Sequence, residues 1–87
     1  MKYFVYIIQS EKDKSFYIGS TKNINLRIER HNQGWSRYTK TKTPWKIVYS
    51  EEFENKSEAI KREINIKKMK SRVYIENLIK ETRSRPD

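Results

Sequence analysis

Cysteine is absent from the chain and histidine occurs only once. Without thiols the chain can form neither disulfides nor a thiolate zinc site, and a single histidine excludes a metal cage built from several. No apolar run reaches the roughly 18 residues that a membrane-spanning helix requires, and the first run is too short for a secretory signal. We therefore expect an intracellular protein of the cytoplasm that does not enter a membrane.

Acidic residues are outnumbered by basic ones. Twenty Lys and Arg against eleven Asp and Glu give a formal charge of +9, and the pI is near 9.9. Such an excess indicates a phosphate-bearing partner, although general solubility or attraction to an anionic membrane would also explain it. Because no basic segment forms a strongly amphipathic helix with bulky aromatics on one face, nucleic acid ranks ahead of a membrane.

The length of 87 residues leaves room for one domain with a modest core. Hydrophobic residues make up 34% of the chain, and they cluster in runs and stripes as they do in folded proteins. We predict a single domain over residues 1–82 and a frayed C-terminal tail over residues 83–87.

The spacing of apolar residues predicts three strands and three helices. The strands are expected at residues 3–9, 16–20 and 45–53. The first helix is expected to begin after a cap at Thr21 or Asn23 and to end at about Asn32. The second is expected from Lys56 to Lys70, after a cap at Asn55, and the third over residues 73–81. Residues 33–43 show neither the helical nor the strand period of apolar residues and are expected to form an exposed loop. The order β-β-α-β-α-α predicts an α+β fold, with helices packed on a small, mainly antiparallel three-stranded sheet.

The first predicted helix carries Arg27 and His31, which are four residues apart and therefore lie on one face, about 5 to 6 Å apart at Cβ. That face borders the apolar stripe formed by Ile24 and Ile28. Both polar groups are thus expected at the edge of the core, where Arg27 either serves a site or packs its stem against the core with its head in water.

Glu63 lies in the middle of an apolar stripe, since its helical neighbours include Ala59, Ile60 and Ile66. A carboxylate directed into an apolar environment is unfavourable unless it is paired or binds a metal. We therefore expect Glu63 to have a partner, which is either an arginine in a structural salt bridge or a divalent cation.

The predicted hairpin contains Tyr6 and Tyr17, at about the same level of neighbouring strands, and Gly19. Tyrosines in strands usually fill the core or the surface, so these two are candidate catalytic residues only in combination with Arg27, His31 and Glu63. A glycine within a strand indicates a bulge or bend, or a close approach by another backbone or a ligand.

The segments "YFVYI" and "FYIGSTKNINLRIERHN" together resemble the GIY-YIG nuclease domain, with "YIG" intact at Tyr17 to Gly19. The resemblance covers about residues 3–80 and is greatest to small stand-alone bacterial members, which share "RYT" and an "RE..IK" helix, here Arg62 to Lys67. Phe4 and Val5 replace the Gly and Ile of the first motif, while its tyrosine is kept at Tyr6.

The resemblance implies a metal-dependent endonuclease that hydrolyses phosphodiester bonds, with DNA ahead of RNA as substrate, little sequence preference, selectivity for distorted structures and a role in DNA repair. It assigns catalysis to Tyr6, Tyr17, Arg27, His31 and Glu63, with Glu63 holding one Mg²⁺ or Mn²⁺ ion. The alternatives are a non-catalytic nucleic-acid-binding module, or a subunit that needs a partner protein for activity.

In that reading Arg27 grips the scissile phosphate, since a guanidinium can donate two hydrogen bonds to it. Tyr6 or Tyr17 serves as the base, assisted by His31, and Gly19 is a bend that lets the substrate backbone pass close to the hairpin. Trp35 and Tyr38 either stack on an unpaired base or pack under their loop. The residues expected to contact nucleic acid are Arg37, Tyr38, Lys40, Lys42, Lys67, Lys68 and Lys70.

Overall fold

A computed structural model describes residues 2–84, with side chains to residue 81. It confirms the predicted α+β fold and its element order. The elements are β1 (Tyr3–Ser10), β2 (Phe16–Thr21), α1 (Ile24–Asn32), a short 3₁₀ helix (Lys40–Lys42), β3 (Trp45–Phe53), α2 (Lys56–Met69) and α3 (Arg72–Ser84).

The three strands form an antiparallel sheet in the order β2-β1-β3. β1 is therefore the central strand, and this explains why its sequence is apolar almost throughout. Val5 and Ile7 pack against α2 and α3, while Tyr6 and Ile8 belong to a second cluster that α1 covers. The sheet thus separates two layers of helix, and β2 and β3 are its edges.

The helix caps are local. The side chain of Asn23 accepts a hydrogen bond from the Leu26 amide (3.0 Å), and that of Asn55 accepts one from the Glu58 amide (2.9 Å). Asn23, and not Thr21, is therefore the cap of α1. Past the end of that helix Gly34 adopts a φ of +86°, a conformation that glycine favours.

The segment predicted to be an exposed loop, residues 33–43, is more ordered than expected. It contains the 3₁₀ turn, and Thr39 is completely buried, with its carbonyl accepting a hydrogen bond from the Trp45 indole (2.8 Å). A 3₁₀ turn of three residues leaves no periodic signal in a sequence. At the other end of the chain α3 runs to Ser84, two residues into the predicted tail, and residues 85–87 lie outside the described residues.

Within residues 2–84 there is no helix that is both long enough and apolar enough to cross a membrane.

Candidate active site

A chain of buried hydrogen bonds links the central strand to the loop after α1. The Tyr6 hydroxyl lies 3.0 Å from His31 Nε2, and His31 Nδ1 lies 2.9 Å from the Thr39 hydroxyl. Because Thr39 in turn donates to the Ser36 carbonyl (3.5 Å), its oxygen accepts from Nδ1–H, and Nε2 then accepts from Tyr6. All three side chains are almost fully buried.

Burial sets the protonation states of Tyr6 and His31. It is the main reason why the pKa of Tyr6 is raised; nearby Tyr17 and Glu63 raise that pKa further, and Arg27 opposes them. Burial also lowers the pKa of His31, and the positive charge of Arg27 adds to that effect. At neutral pH the site therefore holds a neutral imidazole and a protonated Tyr6 phenol.

Gly19 makes room for the Tyr6 ring. The two residues are directly opposed on β2 and β1, and a Cβ at position 19 would lie 2.5 Å from the Tyr6 hydroxyl oxygen. The prediction that Gly19 forms a bend is wrong, because the residue lies inside the regular strand β2, and the close approach that it allows in this structure is made by the Tyr6 side chain.

Tyr17 lies at the boundary between the buried cluster and the surface. Its half-buried ring meets the His31 ring edge-on, with centroids 4.9 Å apart, and the Tyr6 centroid is 6.5 Å away. On its other side it contacts the exposed ring of Tyr38 at 5.9 Å. The predicted proximity of the two hairpin tyrosines is present in the structure, and the two differ in exposure.

Arg27 is exposed on α1, one turn before His31, and its charge acts on both His31 and Tyr6. Beside it opens a pocket of about 210 Å³. The pocket is lined by Arg27, Arg30, His31, Trp35 and Ser36. The guanidinium thus borders an open space that reaches the otherwise buried histidine.

The Glu63 carboxylate approaches from the other side of the sheet, on α2. Its Oε1 accepts from the Ser20 hydroxyl (2.6 Å) and its Oε2 from the Lys67 ammonium (2.7 Å), and the side chain is only 18% exposed. Its partners are therefore a hydroxyl and a lysine, where the sequence suggested an arginine or a cation. Because Ser20 lies on the edge strand β2 and the charge of Glu63 acts on Tyr6, the two halves of the site meet at this edge.

The orientation of α2 is held by the residue before Glu63. Arg62 bonds Glu51 on β3 (3.0 Å) and Tyr74 on α3 (3.3 Å), so one side chain ties three elements together. Glu51 also accepts from Tyr49, whose burial, together with this bond, raises its pKa to about 12. This network points Arg62 at β3 and leaves Glu63 at β2.

The side chains predicted to contact nucleic acid are mostly at the surface. Arg37, Tyr38, Lys40, Lys67, Lys68 and Lys70 are exposed. Lys42 is less available, because its ammonium pairs with Asp13 (3.2 Å) and lies 4.9 Å from the centroid of the Tyr38 ring. Trp35 is 69% exposed and carries the Arg30 guanidinium at 4.7 Å from its ring centroid, so it does not pack under the loop.

Two contributors escaped prediction from the sequence. Thr39 lies in a segment without periodicity, and nothing local distinguishes it from the neighbouring hydroxyl residues. Ser20 directly follows the "YIG" motif, and alternation along β2 places it on the face opposite Gly19, which was the available signal.

Comparison with known proteins places this arrangement in a family. The family model described as the GIY-YIG catalytic domain matches residues 2–84. The chain therefore belongs to the GIY-YIG family of nucleases, whose members generally depend on a divalent metal, and the resemblance found in the sequence is confirmed.

Its relatives are small proteins. UPF0213 proteins from Staphylococcus aureus strains Mu3 and N315 are each 48% identical to it over 66 residues, which is 75% of this chain and 79% of theirs. The solution NMR structure of the UPF0213 protein BH0048 from Bacillus halodurans matches 92% of this chain and 84% of its own, with a TM-score of 0.58 and 33% sequence identity.

We expect His31 to make stability depend on pH. Its pKa is lowered in the folded protein, so as the pH falls below about 6.5 the unfolded chain takes up a proton first. The stability contributed by the neutral ring is complete above that pH and is lost as the pH falls, by at most about 1.4 kcal/mol per pH unit.

Urea unfolding of wild type and His31→Gln between about pH 5 and 7.5 measures this contribution, because the chain contains no other histidine. The difference between the two proteins should shrink as the pH falls. A difference that stays constant over this range would show that the ring does not titrate as its burial requires.

Proposed function

We propose that the protein is a divalent-metal-dependent endonuclease that hydrolyses phosphodiester bonds in DNA. The observation that carries the proposal is the convergence at the β2 edge of Tyr6, Tyr17 and His31 from one face of the sheet and Glu63 from the other, beside exposed Arg27. These groups answer the needs of phosphodiester hydrolysis, which are an activated water and neutralisation of growing negative charge.

The donor chemistry fits one Mg²⁺ or Mn²⁺ ion held by Glu63. Such hard cations take oxygen ligands and are often bound through one or two carboxylates together with waters and substrate phosphate. Within residues 2–84 no three His, Cys, Asp or Glu side chains are grouped as a metal cage would require, whereas the Glu63 carboxylate and the Ser20 hydroxyl supply oxygens. The ion would neutralise charge on the phosphate and on the departing oxygen.

Arg27 suits the scissile phosphate. Its guanidinium is always protonated and can donate two parallel hydrogen bonds to phosphate oxygens. It is exposed at the mouth of the pocket that leads to His31, so a phosphate can reach it without displacing core side chains.

We assign different catalytic roles to Tyr6 and Tyr17. Tyr6 is 1% exposed, and its raised pKa keeps it protonated at neutral pH with its hydroxyl bonded to His31, so it is not free to take a proton from water. Tyr17 is half-buried and packs on the same imidazole. In our proposal Tyr17 first gives its phenol proton to solvent, and the resulting phenolate orients the attacking water and accepts its proton, while Tyr6 holds His31 in place.

The surface beside the pocket favours DNA with unpaired nucleotides. Trp35 offers an exposed indole next to a cluster of basic side chains, and every base has a face that can stack on such a ring. Phosphate contacts from surface lysines and arginines would add affinity without sequence preference. Flaps, nicks and similar intermediates of DNA repair, processed in the cytoplasm, are the substrates we propose.

Glu63→Gln should abolish metal-dependent nicking of supercoiled plasmid. Loss of the Glu63 carboxylate removes the charge that would hold the ion and should slow cleavage by about 100-fold or more. Glu58→Gln is the matched control, because Glu58 is an exposed carboxylate on the same helix. If neither wild type nor Glu63→Gln cuts DNA in Mg²⁺ or Mn²⁺ and both bind it equally, the non-catalytic binding module is the correct reading.

Tyr17→Phe should slow cleavage more than Tyr6→Phe does. Removing a base costs about 10²- to 10⁴-fold in rate. Removing the Tyr6 hydroxyl leaves buried Nε2 of His31 without its donor, so that variant should lose about 1–3 kcal/mol of stability instead. Single-turnover rates at saturating protein, with urea unfolding of each variant, test this assignment. A folded Tyr6→Phe that cuts more slowly than Tyr17→Phe would reverse it.

Trp35→Ala should weaken binding to oligonucleotides with unpaired bases by about 1–3 kcal/mol, and leave binding to a blunt duplex nearly unchanged. Val73→Ala is the control, since Val73 is about as exposed but lies on α3. Fluorescence anisotropy at several salt concentrations measures both affinities. Equal losses on the two substrates would show that Trp35 does not stack on a base.

A further inference from the structure

Lys67 contacts the group that we expect to hold the metal ion. Its ammonium nitrogen is 2.7 Å from Oε2 of Glu63, while Oε1 accepts from Ser20. Both oxygens of the carboxylate are therefore engaged within the protein itself. Each carboxylate oxygen keeps a second lone pair, but a divalent ion bound to this oxygen would lie close to the ammonium, and the repulsion between the two cations favours movement of Lys67 away from Glu63.

Lys67 is able to move. Its side chain is 51% exposed, whereas that of Glu63 is 18% exposed. A lysine ammonium at the end of a flexible stem in water forms only weak ion pairs, and it exchanges partners readily. A DNA phosphate near the site would offer Lys67 a second anionic partner.

We propose that Lys67 couples DNA binding to metal binding at Glu63. In the free protein the ammonium neutralises the carboxylate and lowers its affinity for the ion. When DNA binds, a phosphate takes the ammonium, and Glu63 becomes free to hold the ion. This inference rests on the proposed function, because it takes Glu63 as the metal ligand.

The coupling has a thermodynamic consequence in both directions. If DNA increases the affinity for the ion by some factor, the ion must increase the affinity for DNA by the same factor. The part of that factor which depends on Lys67 should be about threefold, as expected for a partly exposed ion pair. Direct coordination of the ion by a DNA phosphate would remain when Lys67 is replaced.

The experiment is a titration with Mn²⁺ followed by electron paramagnetic resonance, which detects the free ion. Wild type, Lys67→Met, Lys61→Met and Glu63→Gln are each titrated alone and with a saturating phosphorothioate duplex that resists cleavage. Lys61 is exposed on the same helix and is not among the expected DNA contacts, so Lys61→Met removes the same charge while leaving the pair of Lys67 with Glu63 intact.

Without DNA, Lys67→Met should bind Mn²⁺ about threefold more tightly than wild type and Lys61→Met. The enhancement by DNA should be about threefold smaller in Lys67→Met than in the other two. If Lys67→Met and Lys61→Met behave alike in both titrations while Glu63→Gln loses the site, the coupling is wrong and the metal role of Glu63 stands. If Glu63→Gln binds Mn²⁺ as wild type does, the metal role fails and the coupling fails with it.

Discussion

The position of the Tyr6 ring on Gly19 is the contact on which the site depends. Tyr6 comes from the central strand, whose side chains are otherwise enclosed in the core. Because position 19 has no Cβ, the phenol can lie across β2 and bring its hydroxyl to His31. A Cβ at position 19 would force the ring to shift, and a close-packed core opposes such a shift. The glycine thus acts through packing, and no special backbone conformation is involved.

Hydrogen bonds connect Tyr6 through His31 to the loop that follows α1. His31 bonds both Tyr6 and Thr39, and the buried Thr39 is held by the Trp45 indole. The residues that orient the imidazole therefore also anchor the segment that carries Trp35 and Tyr38, through Thr39. In a domain with so small a core, a polar chain of this kind has to serve stability and function together, since each of its buried groups requires a partner.

The sequence identified most of the fold and many of the groups at the site, and its failures have a common cause. Periodicity located the strands and helices, and the apolar surroundings of Glu63 correctly indicated that its carboxylate needed partners. The partners themselves could not be predicted, because Ser20 is 43 residues away in the chain and only the packing of α2 against β2 brings them together. The role of Gly19 was misjudged for the same reason, since it depends on which residue β1 places opposite to it.

The location of the site at a sheet edge follows from the layered architecture. α1 covers one face of the sheet and α2 with α3 the other, so groups from α1 and α2 are separated by a sheet wherever its strands are continuous. They can act on one another only where the sheet ends. β2 provides that boundary: its residues alternate between the two faces, with Tyr17 and Gly19 towards α1 and Ser20 towards α2. In the proposed active site, His31 from one layer and the Glu63 carboxylate from the other therefore approach one another beside this strand.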